Sequence, residues 1–144
     1  MRLPGYGGAG FFLRRTVAGD PPSISALDMW LLAPEFCTAA LGRATAPDFL
    51  PRIARYFFEA ASSAAPEKQL PAFSDGLSGV TVDVGTSDQE RVGLRVGLFT
   101  DLDDHLADPE ILDFETSRAA LAHTAHRIAE LVGDVQLAAF EELH

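Results

Sequence analysis

The chain contains a single cysteine, Cys37, among its 144 residues. One cysteine excludes an internal disulfide, and it excludes an all-cysteine metal site within one chain. A reducing compartment suits this composition, so we predict a cytoplasmic protein. Because Cys37 lies among apolar and small residues, we interpret it as a small buried side chain and not as a catalytic thiol.

Long apolar runs are also missing. No segment approaches the ~20 consecutive apolar residues that a membrane-spanning helix needs. The N-terminal sequence has neither the apolar core nor the small-residue cleavage site of a signal peptide. We therefore predict no membrane association.

Basic residues are scarce. Lys and Arg number 11 against 21 Asp and Glu, which gives a formal net charge of -10. A surface that binds nucleic acid or an anionic membrane obtains its affinity from clustered Lys and Arg, so this charge argues against both. The partner class that the charge favours is a protein with a basic surface.

The familiar catalytic and cofactor motifs are incomplete. Gly5, Gly7 and Gly10 match G-x-G-x-x-G, but only four residues precede them, where the dinucleotide motif needs a strand. Residues 76–80 resemble a nucleophile elbow without its last glycine. A calcium loop counted from Asp101 has leucine where glycine and the closing glutamate should stand. We therefore predict no cofactor, no bound metal and no catalytic residue.

A β-hairpin over residues 77–100 is the strongest pattern present. Aliphatic residues alternate with polar residues and glycine, namely Val80, Val82 and Val84, then Val92, Leu94, Val96 and Leu98. A period of two indicates two strands with one buried face, and the residues 86–89 between them suit a tight connection. Gly93 and Gly97 fall on the other face, where absent side chains either admit a close neighbour or mark strand bends.

The remaining pattern predicts further strands and two helices. Strands are predicted at 11–17, 24–33, 36–44 and 111–115. One amphipathic helix is predicted over 45–65, capped by Thr45 or Asp48, and a second over 116–132, capped by Thr116. Trp30 is interpreted as a core residue, and residues 134–144 fit either a strand or a helix.

These elements predict an α+β protein. We expect a flexible glycine-rich N-terminus over residues 1–10 and a single α+β domain over residues 11–144. Two strand sets each lead to one helix, so we predict one antiparallel β-sheet of five to six strands packed against two helices.

The most unusual local composition follows the hairpin. Seven acidic residues occur without an intervening Lys or Arg: Asp101, Asp103, Asp104, Asp108, Glu110, Asp113 and Glu115. One interpretation is a solvated loop before a helix, where acidic residues are favoured. The other is a surface that attracts a basic protein. We predict that Asp101, Asp103, Asp104, Asp108 and Glu110 bind the partner.

Two alternatives stay open. The first is a small metal-dependent or hydrolytic enzyme that uses His105, His123 and His126 with nearby carboxylates, although the helical period places His123 and His126 on the exposed side. The second is a homodimeric structural or chaperone-like protein that pairs through the glycine-bearing face of the hairpin.

The order of elements resembles a known group of proteins. The residues that carry the resemblance are Trp30 and Phe36, Gly42, Asp48-Phe49-Leu50 at a helix start, the valine hairpin and the segment Phe114 to Leu121. Over about residues 24–132 the chain is similar to small uncharacterised actinobacterial proteins, including ones similar to WapI-type immunity proteins of polymorphic toxin systems. The resemblance implies a bacterial, non-enzymatic acidic domain that binds and neutralises a toxin, and it supplies no catalytic residues.

Overall fold

The computed structural model describes residues 2–18, 23–45, 48–99, 101 and 108–132. Within these ranges it contains two four-stranded antiparallel sheets, each with its strands hydrogen-bonded in chain order. The first sheet consists of β1 (Arg2–Pro4), β2 (Gly10–Ala18), β3 (Ser23–Ala33) and β4 (Phe36–Arg43). The second consists of β5 (Phe73–Asp75), β6 (Val80–Ser87), β7 (Arg91–Leu98) and β8 (Glu110–Ser117).

Two main helices follow the sheets. The main helices are α1 (Phe49–Ser62) and α3 (Arg118–Val132). Between them lies the single-turn helix α2 (Pro66–Gln69), and a 3₁₀ turn lies at Tyr6–Gly8. The chain runs from β4 into α1 and from β8 into α3, and α1 packs against α3. Each half of the protein is therefore a four-stranded sheet followed by a helix.

The α+β class is confirmed, but the prediction of one sheet with five to six strands is wrong. Residues 44–72 separate the two strand sets, and β4 and β5 do not pair with each other. The short strands β1 and β5 raise the strand number to eight. At three residues each, they are too short to show a period in the sequence.

One apolar core connects both sheets and both main helices. The seven aliphatic side chains of the predicted hairpin are all buried, which confirms the hairpin and its buried face. The helix α1 contributes seven more buried residues: Phe49, Leu50, Ile53, Ala54, Tyr56, Phe57 and Ala60. These recur at intervals of three and four, as expected for a helix with one buried stripe.

The glycine-rich start contains a strand. Arg2–Pro4 pair with β2, and the side chain of Leu3 is 1% exposed. Thr116 Oγ1 donates a hydrogen bond to the Pro4 carbonyl at 2.7 Å, and Thr124 Oγ1 donates to the Arg2 carbonyl at 3.3 Å. The expectation of a flexible segment over residues 1–10 overlooked this one buried leucine.

The helix starts also differ from the predicted caps. Thr116 is buried in β8, and the hydroxyl of Ser117 accepts the Ala120 N–H at 3.0 Å. Asp48 precedes α1, yet its carboxylate contacts Arg52 at 3.2 Å and caps no backbone N–H. The hydroxyl that caps α3 therefore lies one residue later than predicted.

Candidate interaction surface

Three of the five residues predicted to bind a partner are described, and they flank the connection between β7 and β8. Asp101 follows β7, Asp108 precedes β8 and Glu110 begins β8, and all three are exposed. Because Glu110 pairs with Leu98 in an antiparallel ladder, the three residues are held near one end of the second sheet. We call Asp101, Asp108 and Glu110 the acidic end. Asp103 and Asp104 lie outside the described residues.

Two acidic residues of the same stretch form ion pairs with arginines of the neighbouring strand, on the exposed face of the sheet. Arg95 donates from Nε and Nη2 to the carboxylate of Asp113 at 2.8 and 3.1 Å. Arg91 Nη1 donates to Glu115 Oε2 at 3.3 Å. The Arg95–Asp113 pair results from register, since the two residues stand directly opposite each other on neighbouring strands. The hydrogen bond and the charge of Asp113 raise the pKa of the Arg95 guanidinium.

Two carboxylates of the acidic end, those of Asp108 and Glu110, are not paired in the way that Asp113 and Glu115 are. Among the described residues, neither the Asp108 nor the Glu110 side chain forms a hydrogen bond or an ion pair. Their negative charges therefore face solvent without a neighbouring arginine. Of the seven acidic residues in the sequence pattern, Asp113 and Glu115 are paired with arginines, whereas Asp108 and Glu110 are unpaired among the described residues.

A groove of about 560 Å³ lies on the outer face of the second sheet. Its lining includes Asp83, Gly93, Arg95 and Asp113, together with Tyr6 from the 3₁₀ turn. Of these residues, Arg95 and Asp113 are paired with each other, whereas the exposed Asp83 accepts no hydrogen bond within the described structure. Leu94 and Phe114 also contribute to the lining, so the groove has a surface of mixed polar and apolar character.

The glycines of this face make room for threonines of the neighbouring strand. A Cβ atom at Gly97 would collide with Thr81 Oγ1, and one at Gly93 would lie 3.2 Å from Thr86 Oγ1. Pro109 also covers Gly97, at 3.8 Å from the same Cβ position. Of the two explanations offered for these glycines, close approach is the relevant one, and the close neighbour belongs to the chain itself.

Two of the three histidines of the enzyme alternative lie on α3, in different surroundings. His123 is exposed on α3, whereas the ring of His126 meets the ring of Phe58 edge-on with centroids 5.7 Å apart. His105 lies outside the described residues. Within the described ranges, no three His, Cys, Asp or Glu residues form a group that could hold a metal ion.

Two possible nucleophiles occupy unsuitable positions. Ser78 is fully buried, and its backbone N–H donates to the Asp75 carboxylate at 3.0 Å, so it belongs to the turn between β5 and β6. Cys37 is exposed on β4, which corrects its interpretation as a buried side chain. Cys37 is exposed because it lies on an edge strand, where apolar neighbours in the sequence do not guarantee that a side chain is buried.

The sequence pattern missed an arginine and aromatic surface on the outer face of the first sheet. The Arg14 guanidinium lies 5.1 Å from the centre of the Trp30 ring, and that of Arg2 lies 5.2 Å from the Phe12 ring. Trp30 is thus half-buried beneath an arginine and is not a core residue. Apolar residues on both sides of β3 suggested burial. The available signal for a solvent-facing side was the charged Arg14, which shares a face of β2 with Phe12, opposite the face of Phe11 and Leu13.

Asp28 is the best-connected polar residue on this face. Its Oδ2 accepts hydrogen bonds from Arg14 at 2.7 and 3.0 Å, and its Oδ1 accepts the Gly42 N–H at 2.7 Å. Gly42 has φ +64°, at a bulge in β4. The Gly42 hydrogen bond, followed by the Arg14 hydrogen bond, lowers the pKa of Asp28.

Comparisons with protein-family models, with curated proteins and with solved structures find no match to this chain. No helix in the described part of the chain combines the length and apolar character needed to cross a membrane.

Proposed function

We propose that this chain is a non-enzymatic binding module whose acidic end binds a protein partner with a basic surface. The observation that supports the proposal is the contrast within residues 101–115. Asp113 and Glu115 are paired with arginines of their own sheet, whereas Asp108 and Glu110 are exposed and have no partner among the described residues. Carboxylates in this position can accept hydrogen bonds from Arg or Lys of another protein.

The net charge of the chain supports the same function. At -10, the chain attracts cationic proteins over a distance and repels other acidic ones. After the encounter, the carboxylates of the acidic end would form charge-assisted hydrogen bonds and cover the basic surface of the partner. More specifically, we propose that the chain is an immunity-type protein that neutralises a bacterial toxin in this way. It acts in the cytoplasm, where the exposed Cys37 stays reduced.

The test compares two charge variants of equal net charge. The first carries Asp101→Asn, Asp108→Asn and Glu110→Gln. The matched control carries Asp83→Asn, Glu90→Gln and Glu130→Gln, three exposed residues elsewhere on the chain. Proteins captured from a lysate of the source cells by the wild-type chain are identified, and the strongest binder is purified and titrated against all three forms.

We expect the acidic-end variant to bind at least about tenfold more weakly, with a flatter dependence of affinity on salt. The control variant should keep most of the affinity, because its substitutions remove the same charge from other surfaces. Extending the first variant to Asp103 and Asp104 should weaken binding further. Equal losses in the two variants, or no loss in either, would contradict the proposed role of the acidic end.

A further inference from the structure

The strand β4 is an edge strand of the first sheet. In the described part of the chain it hydrogen-bonds only to β3. Its residues from Phe36 to Gly42 include no charged residue and no proline, and both Cys37 and Leu41 are exposed, the latter by 62%. Edge strands normally carry charges, prolines or bulges that prevent pairing with another chain. Between Phe36 and Gly42 the bulge beside Gly42 is the one such feature, and the charged Arg43 ends the strand.

The other sheet edges in the described structure are better protected. β1 and β5 are three residues long, and beyond them the edges are formed by residues 13–18 of β2, which include Arg14 and Arg15, and by residues 83–87 of β6, which include Asp83. β8 is eight residues long and includes Glu110, Asp113 and Glu115. β4 is equally long and has none of these acidic residues. In a chain with a net charge of -10, β4 is a place where two copies can approach without bringing carboxylates together.

Some backbone hydrogen-bonding groups of β4 have no partner strand among the described residues. Ala33 and Phe36 flank the two-residue turn at 34–35, so they form a hydrogen-bonded pair. Because such pairs alternate along an antiparallel ladder, Cys37 opposite Leu32 and Ala39 opposite Trp30 are non-hydrogen-bonded pairs. The N–H and C=O groups of Cys37 and Ala39 therefore point away from β3, toward the edge of the sheet.

We propose that two copies of this chain pair through β4 in antiparallel orientation, with Ala39 of each copy opposite Ala39 of the other. In this register the outward-facing residues meet one another, and Cys37 of one copy stands opposite Leu41 of the other. The antiparallel direction also places the end that carries Glu35 against the end that carries Arg43. The first sheets of the two copies join into one continuous sheet. This proposal is independent of the acidic end, which lies on the second sheet.

A cysteine substitution tests the register. In the variant Leu41→Cys, the pairing puts Cys37 of one copy and the new thiol of the other about 5.5 Å apart between Cα atoms, within the range for a disulfide. Within one chain the two thiols are separated by four residues of strand, about 13 Å, and cannot bond. Mild oxidation should therefore convert the variant to a covalent dimer, with mass spectrometry locating a 37–41 crosslink. The control Leu77→Cys, at another exposed leucine, should not crosslink to Cys37.

A second variant tests the edge without relying on crosslinking. Ala39→Pro removes one outward N–H and leaves the hydrogen bonds between β3 and β4 intact. Light scattering should show a dimer for the wild-type chain and a monomer for the variant, with circular dichroism confirming that the variant is folded. A wild-type monomer at all concentrations, a dimer that persists in the folded proline variant, or crosslinking of Leu41→Cys no faster than of the control would each overturn the proposal.

Discussion

At the scale of single residues, buried and half-buried polar groups connect parts of the chain that are distant in sequence. Asp28 joins β2 and β4 by accepting hydrogen bonds from Arg14 and from the backbone of Gly42. Arg118 joins α1, α3 and the hairpin turn through four backbone carbonyls. Neither role follows from local sequence, because each depends on partners at least fourteen residues away.

We predict that Asp28→Ala destabilises the fold by about 1–3 kcal/mol at neutral pH, because the Gly42 N–H loses its partner. The loss should also depend on pH. The folded pKa of Asp28 lies below its ordinary value of 3.8, so the unfolded chain binds the proton more readily. The stabilisation is complete above that ordinary value and disappears as pH falls through the lowered folded pKa.

Denaturant titrations of wild type and variant between neutral pH and about pH 2 check this dependence. Asp83→Ala serves as the control, because Asp83 is exposed and accepts no hydrogen bond within the described structure. We expect the control to change stability by less than about 0.5 kcal/mol. A difference between Asp28→Ala and wild type that stays constant across the acidic range would contradict a role for the ionised carboxylate.

The side chain of Arg118 binds backbone carbonyls at the C-terminal end of α1. Its Nη1 donates to the carbonyls of Ala61 and Ser63 at 3.0 and 2.6 Å, and its Nε donates to the Asp88 carbonyl at 2.8 Å. The last carbonyls of a helix lack partners within the helix and carry partial negative charge, so a planar cation suits them.

We predict that Arg118→Lys lowers the free energy of unfolding by about 1–3 kcal/mol, because an ammonium group cannot reach all of these carbonyls. The matched control is Arg127→Lys on the exposed side of the same helix, which should have almost no effect. Thermal and denaturant unfolding measure both variants. Equal stability of the two would show that the carbonyl contacts of Arg118 contribute nothing.

At the scale of elements, periodicity predicted the longer strands and both main helices. The alternation in Val80–Val84 and Val92–Leu98 indicated β6 and β7, and the stripe of α1 indicated a helix with one buried face. β1 and β5 were not predicted, because a three-residue strand contains hardly one repeat of its period. Their positions depend on the neighbouring strands that pair with them.

The strand β1 provides the element-scale prediction. Leu3 is almost fully buried, so Leu3→Ala should destabilise the fold by about 2–4 kcal/mol. Leu77→Ala, at a leucine that is 56% exposed, should cost less than about 0.5 kcal/mol. Denaturant unfolding compares the two. A small, equal effect for both would mean that the glycine-rich start contributes no packing and is flexible, as its composition suggests.

At the scale of the whole molecule, two sheet-and-helix halves share one core and differ in their outer surfaces. The first sheet presents arginines over aromatic rings, and the second presents ion pairs beside the acidic end. The acidic composition of residues 101–115 was evident in the sequence. Which of these acids are paired was not, because the pairing of Asp113 with Arg95 depends on the register of β7 and β8.

Hydrogen–deuterium exchange tests most directly whether the acidic end binds a basic protein, as we propose. The exchange of the wild-type chain is measured alone and in complex with the partner isolated by the capture experiment. We predict slower exchange in peptides covering residues 99–111, and little change in α3 or on the outer face of the first sheet. Unchanged exchange over 99–111, with protection confined to another surface, would contradict the claim.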